Sequence, residues 1–126
     1  MILKQLESLR NDHPSCTAIA LSDISSGTVL CVSSADKIPQ EKLDQYCQTA
    51  AELLNGAAAS ACANLLSAGI KQLQTATVLM AEKVMVFVRS DQEASDVIIC
   101  LCDPDIDVDS LLPAVRKALY ALSSGQ

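Results

Sequence analysis

The spacing of apolar and polar positions changes period several times along this chain, and each change marks an element. Ile2, Leu3, Leu6 and Leu9 fall at helical steps with Lys4, Gln5, Glu7 and Arg10 between them. That predicts an opening helix ending before His13-Pro14, because a residue ahead of proline avoids the α region. Residues 17–21 (TAIAL) and 28–32 (TVLCV) read as two strands. The turn between them, residues 23–27, is rich in Asp, Ser and Gly, so the pair is a β-hairpin. Pro39 suits the first turn of a helix. A long, alanine-rich helix is expected over residues 40–67, roughly 40 Å in length at 1.5 Å per residue, with Gly69 as its stop. Leu43, Tyr46, Cys47, Ala50, Leu54, Ala57, Ala58, Ala61 and Leu65 form its stripe at steps of three and four, with Gly56 as a point of kinking or close approach. Three strands follow at residues 72–80, 84–88 (VMVFV) and 97–102 (VIICLC). Leu111, Leu112, Val115, Leu119 and Leu122 define a closing helix, with Asp109 or Ser110 as its N-cap.

The strands differ in kind. The first, fourth and fifth are apolar without alternation, as expected where both faces are covered. The second and third carry polar residues and suit the rims. The expected fold is α+β, a five-stranded, mostly antiparallel sheet covered by helices on both faces. One domain is expected over residues 1–126, with its core over about 1–122. An unpaired edge at the third strand is a template for another chain.

Composition narrows the function. Half of the 126 residues are apolar and only 19 % are charged, below the usual quarter. Such a chain hides surface in a partner, so an oligomer is expected. The net charge is −6, and no basic stripe exists to neutralise phosphates, which argues against nucleic acid. Tyr46, Phe87 and Tyr120 are the whole aromatic complement, too few to stack bases. The N-terminal residues lack the apolar core of a signal peptide. No window approaches the roughly 18 apolar residues of a membrane span. A cytoplasmic location is the expectation.

The candidate chemistry is thin. Six cysteines, at positions 16, 31, 47, 62, 100 and 102, lie inside apolar periodic segments, where a free thiol acts as a small hydrophobe. Cys100 and Cys102 share one face of a strand, but no C-x-x-C pair or histidine makes them a zinc site. His13 is the only histidine and has no partner pattern for Ser-His-Asp or Cys-His catalysis. The run Asp103, Asp105, Asp107, Asp109 opens like a calcium loop. Val108 and Ala114 then stand where an EF-hand requires Gly and Glu. The run is read instead as a solvated loop before the last helix. The four glycines form no phosphate-binding loop. No catalytic residue, cofactor or metal is expected.

The order helix, two strands, long helix, three strands, helix resembles the Roadblock family, the domain of the dynein light chain Roadblock and of several regulators of small GTPases. The hairpin TAIALSDISSGTVLCVSS is the best local match. Two departures stand out: a longer hairpin loop at residues 23–27, and an unusually acidic loop at 103–109. The resemblance implies pairing through the long helix and the third strand, which joins two sheets across a two-fold axis. The matching positions are Ala50, Leu54, Ala57, Ala58, Ala61 and Leu65 on the helix, with Leu73, Thr75 and Thr77 on the strand. It further implies a homodimer, or a heterodimer with a similar domain, that presents a surface to a small Ras-like GTPase or a motor subunit. The residues themselves supply only the sheet, the pairing edge and the missing chemistry. A second expectation is a small-molecule sensor of the profilin, PAS or GAF-like kind, with a pocket between helix and sheet.

Overall fold

The computed structural model describes residues 2–66 and 72–123. Its elements are α1 (Ile2–Asp12), β1 (Cys16–Asp23), β2 (Thr28–Ser34), α2 (Gln40–Asn55), α3 (Ala57–Leu66), β3 (Thr75–Leu79), β4 (Val84–Arg89), β5 (Asp96–Cys102) and α4 (Val108–Ser123). The strands form one sheet in the order β2-β1-β5-β4-β3, and every pairing is antiparallel. The three apolar strands are therefore central and the two polar ones are rims, as their patterns predict. Gly69, the expected helix stop, lies outside the described residues.

Each central strand sends alternate side chains to opposite faces. On β5, Ile98, Cys100 and Cys102 meet α1 and α4 through Leu6, Leu9, Leu111, Val115 and Leu119. Its Val97 and Ile99 join Phe87, Ala50 and Leu54 beneath α2. Both faces are thus covered by helices, which is why these strands carry no polar alternation.

The turn between β1 and β2 is built by Asp23. Its Oδ1 accepts the backbone N–H of Ser25 at 2.9 Å, and Gly27 closes the turn at φ +73°, a left-handed conformation that glycine adopts without strain. Along β2 the register steps from Leu21↔Cys31 to Ser22↔Val29. Leu30 is the extra residue of a β-bulge and is 55 % exposed.

Two boundaries differ from expectation. The last helix starts at Val108, and Asp107, not Asp109 or Ser110, caps it: Asp107 Oδ1 accepts the Ser110 N–H at 3.3 Å. The third strand is also shorter than residues 72–80, with ladder pairing confined to Thr75–Leu79.

The larger difference is in the long helix. Gly56 ends α2 with φ −79° and ψ −171°, its N–H donating to the Glu52 carbonyl at 2.9 Å, and α3 begins at Ala57. The extended residue resets the helical phase. On α2 the buried positions are Leu43, Cys47, Ala50 and Leu54. A continuous helix would carry that face on to Ala57, Ala58, Ala61 and Leu65. In α3 the buried residues are instead Ala59 and Ala63, and those four point outward.

Candidate protein interaction surface

The exposed rim of the sheet is β3. It pairs with β4 on one side only, so its other row of N–H and C=O groups is unpaired within the sheet. Ala76 and Val78 pack toward the α2 side. Thr77 is exposed, and Leu79 and Met80 are 74 % and 52 % exposed. On the α4 side, Arg116 Nη2 donates to Thr75 Oγ1 at 3.3 Å.

The start of α3 stands beside the chain entering this rim. Leu54, Asn55, Ala59 and Ser60 line one side of a shallow cleft of about 170 Å³, and Gln72 and Leu73 line the other. Leu65 and Leu66 are 85 % and 69 % exposed, high for leucine, while Ala57, Ala58 and Ala61 are exposed and small enough to admit another backbone. The nine residues assigned to pairing in the sequence therefore divide. Ala57, Ala58, Ala61, Leu65 and Thr77 are surface, and Leu73 and Thr75 are half-buried. Ala50 and Leu54 are 0 % and 1 % exposed. The protomer's own sheet uses them, because the Gly56 break parts their face from that of α3.

Arg89 organises the surface from beneath. It is the last residue of β4, not the start of a charged loop as its sequence context suggests, and it is 3 % exposed. Its Nε donates to the Leu73 carbonyl at 2.9 Å and its Nη1 to the Ala94 carbonyl at 3.1 Å. Its Nη2 reaches both the Leu54 carbonyl at 2.9 Å and Asn55 Oδ1 at 2.7 Å. All four acceptors are neutral oxygens. Burial lowers the guanidinium from its ordinary value. Its position at the C-terminus of α2, where carbonyls lack intrahelical partners and the helix dipole is negative, favours the charge. Sequence reading missed this residue because arginine is seldom buried. A signal was present: the period of two through Met85 and Phe87 places position 89 on the α2 side.

The remaining candidates do not assemble into a catalytic site. Cys16, Cys100 and Cys102 meet between the sheet and the α1–α4 layer, with Cys16 and Cys102 directly paired across strands. All three are at most 1 % exposed, so no substrate reaches them. Hydrogen bonding to Cys16 and then burial raise the Cys100 and Cys102 thiols. His13 accepts the Cys16 N–H at its backbone carbonyl at 2.8 Å, and its side chain is the weakest influence on the Cys16 thiol. Asp103 and Asp107 organise the loop before α4, the Asp103 carbonyl accepting the Ile106 N–H at 3.1 Å. Among the described residues no group of three His, Cys, Asp or Glu is placed to hold a metal, and no helix is long and apolar enough to cross a membrane. A separate cleft of about 310 Å³ opens at the other end of the α2 face, where Met85 and Leu101 form a half-buried floor beside Ile38, Tyr46 and Met80.

No family model and no curated protein matches the chain. Solved structures do. The Roadblock/LC7 domain from Streptomyces avermitilis superposes with a TM-score of 0.74 at 13 % identity, covering 95 % of this chain and 92 % of that one. The gliding protein MglB from Thermus thermophilus gives 0.77 at 21 % identity, covering 98 % and 86 %. An MglB structure with a tetrameric arrangement gives 0.78 at 21 %, covering 98 % and 85 %. Agreement over nearly the whole of both chains, with the same element order, shows that this chain has the Roadblock fold.

Proposed function

We propose that the chain is a non-catalytic, dimeric interaction module whose pairing surface is β3 together with α3. The observation that carries this is a strand edge without a partner among the described residues, with Leu79 and Met80 exposed on it and Leu65 and Leu66 exposed on α3. An apolar rim of that kind is covered in a stable protein. The occupant is a second copy or a similar domain, and the tetrameric arrangement of the MglB neighbour supports self-association. Ala57, Ala58, Ala61, Leu65, Leu73, Thr75 and Thr77 carry the contact. The Roadblock resemblance supplies the third party, a small Ras-like GTPase or a motor subunit, engaged by the joined surface. Any effect on GTP hydrolysis then comes from positioning the GTPase's own groups.

Light scattering tests the pairing. The expected result is a dimer at micromolar concentration that Leu65→Glu and Ala61→Glu convert to monomer, since a buried unpaired charge costs several kcal/mol. A native monomer, or a dimer indifferent to both changes, rules the surface out. Capture of a GTPase from lysate in one nucleotide state supports a regulator; capture of a motor subunit in both states supports a scaffold.

The 310 Å³ cleft favours a second reading, a small-molecule sensor. It has an apolar floor and a polar margin of Thr17, Ser34, Asp36 and Lys83, the composition of a ligand site. A ligand that copurifies, seen by native mass spectrometry, distinguishes this reading from the first.

A further inference from the structure

We infer that Arg89 is the positioning residue of the pairing surface, tying the α2–α3 break and the entry to β3 into one rigid unit. The inference deepens the dimer reading and rests on it for its consequence in pairing, but not for the tie itself. The two halves of the surface come from separate stretches of chain. Helix α3 hangs from α2 through one extended residue, Gly56, and β3 is a five-residue rim bonded on one side. Apolar packing beneath α2 brings α2 and β3 together but carries no directional bond between them. Arg89 supplies such bonds, because one planar guanidinium reaches the last turn of α2 at Leu54 and Asn55, the residue entering the β3 segment at Leu73, and the β4–β5 loop at Ala94. Its backbone N–H adds a bond to the Gln74 carbonyl at 2.7 Å.

The chemistry of the acceptors is informative. A buried arginine with a structural role in charge pairing meets a carboxylate. Arg89 meets four neutral oxygens in three segments, three of them backbone carbonyls, so its fork fixes geometry between chain segments. Lysine cannot replace it, since an ammonium is a point donor without the planar fork. Arg116 holds the same end of β3 from the opposite face through Thr75, so two of the chain's three arginines converge on the start of the rim.

The test uses the full chain with Arg89→Met and Arg89→Lys. Sedimentation measures the dimer constant, and amide hydrogen exchange follows residues 54–58 and 73–79 against those of β1 and β5. The expected result is faster exchange confined to the two former segments, with a dimer weakened about tenfold or more, the equivalent of one charge-assisted hydrogen bond. Unchanged exchange at both segments overturns the inference, whatever the oligomeric state. Loosened exchange with a dimer constant within about twofold of native overturns the positioning role in pairing. A monomeric native protein overturns the dimer reading alone, and exchange still decides the tie. If the methionine variant fails to fold, the lysine variant, which keeps the charge and most of the volume, is read by the same criteria.

Discussion

Gly56→Ala is the sharpest perturbation the fold offers, because it acts on the break through one methyl group. A Cβ built at Gly56 meets the Glu52 carbonyl oxygen well inside van der Waals contact and the Glu52 carbonyl carbon at 3.2 Å. Both are backbone atoms of α2 and cannot swing away. The same oxygen accepts the Gly56 N–H at 2.9 Å, so relieving the clash breaks that bond. The lost hydrogen bond costs about 1 kcal/mol net. Forcing a methyl into a filled position costs about 1–3 kcal/mol. Alanine restricts the unfolded chain and returns about 0.4–1 kcal/mol. The balance is a loss of about 1–3 kcal/mol, or a melting temperature lower by about 4–12 °C for a domain of this size. Calorimetry and urea unfolding measure it, and sedimentation reports the accompanying change in pairing as α3 shifts. A variant as stable as the native protein, or more stable, refutes the argument. It would mean that α2 and α3 can join into one helix without cost and that the glycine is not what separates them.

Two other substitutions probe different parts of the structure. Asp96 lies directly across the β1–β5 ladder from Asp23, and burial, then the charges of Glu93 and Asp23, raise its carboxyl. A carboxyl raised on folding is favoured when protonated, so Asp96 opposes folding increasingly as pH rises through its folded pKa. Asp96→Asn should therefore raise urea stability near neutral pH and show no gain at pH 3; a gain independent of pH would contradict the assignment. Phe87 is fully buried in the layer beneath α2, and Phe87→Ala should cost about 3–5 kcal/mol by chemical denaturation, with a cost below about 1 kcal/mol excluding it as the centre of that layer.

Much of this architecture is visible in the sequence because its signals are redundant. The runs at residues 84–88 and 97–102 have no polar alternation, and only a strand covered on both faces tolerates that. The polar middle of β3 likewise marks a rim. The site was less legible for a physical reason. A period of 3.6 runs through residues 43–65 almost without fault, so one helix is the natural reading. Gly56 is legible there as a point of kinking or close approach, but only its extended backbone and the change of buried face beyond it show that the stripe belongs to two helices with different phases. Asp107 was obscured by its neighbours, since four aspartates at alternate positions compete for one cap. Arg89 was obscured by the habit of its residue type.

The bulge at Leu30 has a consequence for assembly size. A sheet with two regular rims can add copies at both ends and grow without limit. Here β2 is distorted by an extra residue and held under α1, whose Arg10 Nε donates to Ser33 Oγ at 3.0 Å, while β3 runs in regular register along its whole length. A bulged strand is a poor acceptor for another chain. Each molecule thus offers one usable edge, and in the proposed pair the two edges meet and both are used. Growth stops there, so the feature that blunts one side of the sheet sets a ceiling on strand-by-strand polymerisation and leaves fibre formation without a second end to extend.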